Sequence, residues 1–177
     1  MIDLSCLFFS KLSKKHVNFS VGSEFTYIQD YLTPKSLLIA VSQSGETMDM
    51  LEPVKEAKKR GAKVAGFVNV LGSSLFRMSD YPLLLQAGPE KGVASTKALI
   101  AMLANIMLLA FAVSGKLNEG RKIVQNSAEE VESVLKQEKI IINLANKIKN
   151  EDHIYVLGRG LSYPIALEGA LKIKEVS

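Results

Sequence analysis

The sequence has little of what disulfide-bonded and metal-binding proteins need: one cysteine and two histidines in 177 residues. Cys6 cannot form a disulfide within the chain, which favours a reducing, cytoplasmic compartment. His16 and His153 have no partners at metal-ligand spacing. We therefore expect neither a disulfide-stapled fold nor a metal site, and no cofactor.

Long hydrophobic runs are also absent. The longest, Ala98 to Val113, is about 16 residues long and contains Asn105, which is short of the roughly 20 residues that span a bilayer. This run therefore predicts a buried helix. Met1 to Ser10 lacks the basic start and cleavage pattern of a signal peptide. We expect no membrane association.

The charge pattern does not favour nucleic acid as a partner. The net charge is +4, but the basic residues alternate with acids, and only Lys55 to Lys63 is locally basic, with few aromatic neighbours. Solvated helix faces and the steering of a small anion explain such a pattern equally well. A hydrophobic content of 47% predicts a sizeable core in one domain, or in one domain plus a fragment.

The chain alternates strand and helix patterns. Buried strands are predicted at Leu37–Val41 and Lys63–Val70, and further strands at Tyr81–Gln86, Val17–Val21 and His153–Leu157. Helices are predicted at Leu4–Leu12, from Thr47 to Arg60, from Ser74 through Met78, and as two amphipathic helices between Glu119 and Lys149. This alternation predicts a parallel α/β sheet with ligand sites at the carboxyl ends of its strands.

The most informative loop lies between the first buried strand and its helix. It contains three hydroxyl groups, an amide and a glycine: Ser42, Gln43, Ser44, Gly45 and Thr47. A helix N-terminus of this kind favours a phosphate, and the glycine permits a tight turn or the close approach of a ligand. An ordinary N-cap made by Ser44 or Thr47 is the alternative.

A second loop, Gly92 to Lys97, again places hydroxyl groups at the start of a long helix. Two such loops at one sheet edge strengthen the phosphate interpretation. The closing helix places Glu168, Lys172 and Glu175 on one face, because their spacing is i, i+4 and i+7. Spacing alone favours a surface ion-pair ladder. A proton-transfer set, in which a carboxylate moves a proton between adjacent carbons, is the functional alternative.

Three motifs together resemble a known family: SQSGET at 42–47, GVASTK at 92–97 and LGRGLSYPIALEGALKIKE at 157–175. They closely resemble the isomerase half of the glutamine–fructose-6-phosphate aminotransferases, which consists of two sugar-isomerase (SIS) domains in tandem. The resemblance implies that Ser42, Gln43, Ser44 and Thr47 hold a sugar phosphate and that Val93 and Ser95 line the sugar. It also implies that Glu175 is the base that moves the proton, with Lys172 and Glu168 beside it.

The resemblance also implies an architecture: a flavodoxin-like parallel sheet sandwiched by helices, with its first strand missing, followed by the start of a second SIS domain. The corresponding divisions are 1–116 for the first domain, 117–150 for a helical connector and 151–177 for the second domain. A family histidine that opens the sugar ring and a glutaminase domain have no counterpart in the sequence. These departures predict a chain that is incomplete as an enzyme and that works as a dimer or with a complementing chain.

Three functions remain open on this basis. The first is an isomerase-type enzyme, or a fragment of one, acting on fructose 6-phosphate or an aminosugar phosphate, with an SIS-type deaminase as a variant. The second is a sugar-phosphate-binding or regulatory module without turnover, and the third is a structural subunit.

Overall fold

Three parallel strands in the order β1-β2-β3 form the central sheet of the computed structural model, which describes residues 2–92 and 94–176. The strands are β1 (Leu37–Ser42), β2 (Lys63–Val68) and β3 (Tyr81–Leu84). Ser42 on β1 lies opposite Val68 on β2, and Val68 lies opposite Leu84 on β3. All three strands therefore end at the same edge of the sheet, as the parallel arrangement predicts.

Helices cover both faces of this sheet. The first face packs against α3 (Met48–Lys59) and α4 (Ser74–Met78), and the second against α5 (Lys97–Val113). Side chains alternate along β2. Val64 and Val68 point to the first face and pack against α3 and α4, whereas Phe67 points to the second face and packs against α5. The α/β fold with helices on both sides of a parallel sheet is thereby confirmed.

The N-terminal segment completes the second face. Helix α1 (Ile2–Phe8) continues into a π-helical turn at Phe9–Ser13 and packs against α5. Phe9 is buried there with Ile106 and Ala110 of α5. The predicted helix at Leu4–Leu12 is therefore present, with a change of helix type near its end.

Two predicted strands are wrong. Residues 17–21 run without regular structure and lead into the short helix α2 (Gly22–Phe25), and residues 153–157 are also irregular. Tyr155 and Leu157 are 83% and 90% exposed. The alternating or apolar pattern of these segments suits a strand, but neither segment pairs with a strand of the described sheet, and a strand is stable only when its backbone is paired.

The remaining helices lie outside the sheet layers. Helices α6 (Leu117–Leu135) and α7 (Glu138–Ile148) are the two predicted amphipathic helices, and α6 packs against α5. Helix α8 (Ser162–Val176) packs back against α1 and buries Pro164 and Ala166. No helix among residues 2–92 and 94–176 has the length and hydropathy needed to cross a membrane.

Candidate functional site

The loop between β1 and α3 is folded by its own hydroxyl groups. The Gly45 N–H donates a hydrogen bond to Ser42 Oγ at 3.0 Å, and Ser42 Oγ lies 3.3 Å from Thr47 Oγ1. The Glu46 N–H donates to Ser44 Oγ at 3.2 Å. Thr47 occupies the N-cap position of α3, but its side chain makes no capping hydrogen bond. The ordinary N-cap interpretation does not describe this loop.

Gly45 is required at its position for two reasons. Its φ of +68° lies in the left-handed region that favours glycine. In addition, a Cβ built there would lie 2.2 Å from Ser73 Oγ, just before α4. The Leu75 N–H donates to the Gly45 carbonyl at 2.9 Å. The loop is therefore packed against the start of α4, and the tight turn that the glycine predicted is present.

The acid of this loop, Glu46, faces α4. Its Oε1 accepts a hydrogen bond from the Ser74 N–H at 2.8 Å. The hydrogen bonds with Ser74 lower the pKa of the Glu46 carboxyl, and the nearby charge of Arg77 lowers it further. The only carboxylate of the loop is thus engaged with α4, and it does not line the cleft described next.

A cleft of about 280 Å³ opens beside the loop. It is lined by residues of β1, the loop, α3, α5 and α8, and by Ser95, two residues before α5. The lining residues are Val41, Ser42, Gln43, Thr47, Met50, Ser95, Leu99, Met102 and Glu168. This volume is close to the smallest volumes of small-ligand sites, which range from about 300 to 1,000 Å³. Among the described lining residues there is no lysine or arginine.

Five of the predicted site residues meet in this cleft: Ser42, Gln43, Thr47, Ser95 and Glu168. Ser44 and Gly45 belong to the same loop but are not part of the lining, and neither are Lys172 and Glu175. Val93 lies outside the described residues. The apolar wall formed by Met50, Leu99 and Met102 was not predicted, since such residues at helical spacing are typical of a core.

Helix α8 carries the charged set. Lys172 Nζ lies 2.6 Å from Glu175 Oε2 and 3.5 Å from Glu168 Oε1. The hydrogen bond to Glu175 is the main reason that the pKa of Lys172 is raised above the ordinary value of a lysine. The predicted ion-pair ladder is therefore present, and one end of it, Glu168, also reaches the cleft. The catalytic role of each member stays a prediction.

The start of α5 already has an acidic partner. Glu90 Oε2 accepts a hydrogen bond from the Ala98 N–H at 3.2 Å and one from Ser95 Oγ at 3.4 Å. The carboxylate thus takes the position at this helix end that the sequence suggested for an anionic ligand. Sequence reasoning missed Glu90 because it lies eight residues before Ala98, outside the spacing of a capping box.

No group of acids, histidines or cysteines within residues 2–92 and 94–176 has the geometry to hold a metal ion. The lining residues of the cleft supply neutral donors and one carboxylate, that of Glu168, which is paired with the ammonium group of Lys172 outside the lining.

Known proteins resemble this chain along most of its length. The family model of the SIS domain matches residues 6–112 of this chain. The glutamine–fructose-6-phosphate aminotransferase of Thermotoga maritima is 44% identical over 172 residues, which cover 91% of this chain. The chain spans 28% of that relative's length.

Solved structures give the same picture. The C-terminal domain of glucosamine-fructose-6-phosphate aminotransferase from Francisella tularensis superimposes with a TM-score of 0.83 at 33% identity. The match covers 98% of this chain and 51% of that one. A glucosamine-6-phosphate deaminase from Thermotoga maritima superimposes with a TM-score of 0.81 at 25% identity, covering 99% and 54% of the two chains.

Proposed function

The chain belongs to the SIS domain family, and on that premise we propose that its cleft binds fructose 6-phosphate or glucosamine 6-phosphate for isomerase-type chemistry. One observation carries the proposal. Hydroxyl and amide groups of Ser42, Gln43 and Thr47 share a cleft with Ser95 and with the carboxylate of Glu168. A phosphorylated sugar needs both kinds of group, because its phosphate requires donors and its reacting carbons require a base.

The phosphate is proposed to bind at the loop from Ser42 to Thr47. The N-terminus of α3, a helix of 12 residues, contributes the partial positive charge of its dipole to a bound anion. The Thr47 side chain is not consumed as a cap. Glu46 does not oppose the anion from within the cleft, since its carboxylate is bonded to Ser74. The neutral hydroxyl and amide donors of this loop bind a phosphate less tightly than a charged group would, so that the ligand can also be released.

The acid–base step is assigned to Glu168, Lys172 and Glu175. A carboxylate that moves a proton between C1 and C2 of the open-chain sugar, while a second proton passes between O1 and O2, interconverts the ketose and aldose forms. The resemblance assigns that role to Glu175, which is bonded to Lys172. Glu168 lines the cleft, and Lys172 lies between the two carboxylates. Comparison of Glu168→Gln with Glu175→Gln in an isomerisation assay identifies the base.

Calorimetry with fructose 6-phosphate and with unphosphorylated fructose tests the binding proposal. The double change Ser44→Ala, Thr47→Ala should weaken the affinity for the phosphate ester about a hundredfold, since two hydrogen bonds to a charged group contribute roughly 3 kcal/mol. The matched control is Ser20→Ala, Thr33→Ala, which removes the same two groups from positions outside the cleft. Fructose binding as tightly as its phosphate ester would refute the proposal.

A deaminase is the second candidate, favoured by the superposition on glucosamine-6-phosphate deaminase. That activity releases ammonia from glucosamine 6-phosphate without glutamine. An ammonia assay in the absence of glutamine distinguishes it from isomerisation alone. Release of ammonia that disappears in Glu175→Gln would favour the deaminase.

The proposed working form is a homodimer or a complex with a complementing chain, in the cytoplasm. Several apolar side chains on α6 and α7 are more than half exposed, among them Leu135, Ile140 and Leu144, and such a surface favours association. The single cysteine supports a reducing compartment. Sedimentation of the chain alone at micromolar concentration should show a dimer if the homodimer is the working form; a monomer would contradict the homodimer and leave the complex with a complementing chain.

A further inference from the structure

The two loops that flank the cleft are joined by one residue that does not line it. Asn69 follows the last residue of β2 and is half-buried. The neighbours of Val68 in the sheet are Ser42 on one side and Leu84 on the other. Asn69 therefore lies between the two strand ends from which the two loops depart.

Asn69 holds the first loop through its backbone. Its N–H donates a hydrogen bond to the Gln43 carbonyl at 3.0 Å. The segment that follows Asn69 continues the attachment, because the Ser74 and Leu75 N–H groups donate to Glu46 and to the Gly45 carbonyl. This attachment is made by main-chain groups of residues 69–75, so a change of the Asn69 side chain leaves it in place.

The second loop is held by the side chain of Asn69. Oδ1 accepts a hydrogen bond from the Ala87 N–H at 3.0 Å, and Nδ2 donates to the Gly88 carbonyl at 2.7 Å. Gln86, directly before these residues, has a φ of +54°, a left-handed conformation that a residue with a side chain rarely adopts. The amide thus fixes the chain where it turns away from β3.

We propose that Asn69 is a positioning residue that sets the distance between the loop from Ser42 to Thr47 and the segment leading from Ala87 to Ser95. A ligand that contacts both loops then depends on the Asn69 side chain, whereas a ligand that contacts the first loop alone does not. The amide is suited to this role because it supplies one acceptor to the Ala87 N–H and one donor to the Gly88 carbonyl. The inference rests on the proposed function and adds a specificity determinant to it.

Two ligands separate positioning from general stability. Fructose 6-phosphate has a phosphate and a sugar, and inorganic phosphate has only the group assigned to the first loop. In Asn69→Ala we expect the affinity for fructose 6-phosphate to fall at least tenfold and the affinity for inorganic phosphate to change less than threefold. Asn118→Ala, which removes an amide on α6, is the matched control and should change neither.

A second variant covers the case in which Asn69→Ala does not fold. Asn69→Asp keeps the acceptor for the Ala87 N–H but places an oxygen opposite the Gly88 carbonyl, so the ratio of the two affinities should again fall at least tenfold. Hydrogen exchange of the Ala87 amide should become faster in Asn69→Ala, while exchange in residues 42–47 should stay the same.

The outcomes are distinct. If the unaltered chain binds neither ligand, the proposed function fails and the inference fails with it. If the unaltered chain prefers fructose 6-phosphate and the ratio of affinities stays within threefold in the Asn69 variants, the proposed function stands and the positioning role is refuted, even if exchange at Ala87 is faster.

Discussion

The loop from Ser42 to Thr47 and helix α8 both line one cleft, but different interactions hold them in place. The loop is tied to the sheet and to α4 by main-chain hydrogen bonds from Asn69 and Leu75, and by the contact of Gly45 with Ser73. Helix α8 packs against α1, and many of its other side chains are exposed. The same cleft thus has one wall fixed by backbone geometry and another fixed by the packing of one helix.

This difference bears on the two halves of the proposed chemistry. Phosphate binding needs several donors at fixed positions, which a rigid loop provides. Proton transfer needs a carboxylate within about 0.5 Å of its productive position, and here that carboxylate depends on how α8 is seated. Changes to the loop should therefore affect binding and stability together, whereas changes to α8 should leave phosphate binding intact.

The largest effect is expected from Gly45→Ala. The left-handed φ costs an alanine about 1 kcal/mol or more, and the new Cβ would collide with Ser73. We expect the free energy of unfolding to fall by about 2–4 kcal/mol and the affinity for fructose 6-phosphate to fall at least a hundredfold. Denaturant unfolding and calorimetry measure the two losses.

Gly115→Ala is the control for this change. Gly115 has a similar φ of +76°, but no atom lies within 4 Å of the Cβ position, so only the backbone cost applies. Ser73→Gly in the Gly45→Ala background should restore part of the stability, because it removes the two nearest atoms. Equal losses in Gly45→Ala and Gly115→Ala would show that the contact with Ser73 is unimportant.

An intermediate effect is expected from Ala166→Glu on the buried side of α8. Ala166 is 8% exposed, and a carboxyl group placed there without a partner costs about 1–3 kcal/mol even in its neutral form. Helix α8 should leave α1, so that its amide hydrogens exchange at least tenfold faster. The affinity for inorganic phosphate should change less than threefold.

The neighbouring change Leu167→Glu tests whether the position of the charge matters. Leu167 is 47% exposed, so the carboxylate stays in water and α8 should keep its protection. A large loss of phosphate affinity in Ala166→Glu would contradict the division of the cleft into two independently held walls.

The sequence predicted the part of the cleft formed by the loop from Ser42 to Thr47 better than the part formed by α8. Ser42, Gln43 and Thr47 follow a buried strand and precede a helix, and this local pattern fixes both their neighbours and the sheet edge on which they lie. On α8, the spacing of Glu168, Lys172 and Glu175 predicted a shared helix face, which is present. Spacing could not show that only Glu168 would reach the cleft, since that depends on the packing of α8 against α1.

Long-range contacts account for what sequence reasoning missed. The bonds of Asn69 to Ala87 and Gly88 and the bond of Glu46 to Ser74 join residues 18 to 28 positions apart. No local sequence motif predicts hydrogen bonds between residues so far apart in the chain. The strand predicted at His153–Leu157 failed for a related reason: an apolar pattern indicates which residues can form a strand, but pairing decides whether they do.

The smallest effects concern pH, and they should have opposite signs in the two regions. The pKa of Glu46 is lowered by its bond to Ser74, so its contribution to stability is present above the ordinary pKa of a glutamate, about 4.3. It is lost as the pH falls through the lower pKa of the folded state. Glu46→Gln should therefore reduce the acid dependence of unfolding relative to the unaltered chain.

On α8 the pH dependence should appear at alkaline pH. Because the hydrogen bond to Glu175 raises the pKa of Lys172, the stabilisation is complete below the unfolded-state pKa of about 10.4 and is lost as the pH rises through the folded-state value. Its size should be only a few tenths of a kcal/mol, since solvent screens a ladder on an exposed helix. The difference in unfolding free energy between the unaltered chain and Lys172→Met, measured by urea denaturation, should be constant from pH 7 to 9.5 and shrink above pH 10.4. Other lysines and the tyrosines titrate in both proteins and cancel in the difference. A difference that is absent at pH 8, or that persists unchanged above the titration, would show that Lys172 stabilises α8 through its aliphatic stem rather than through its charge.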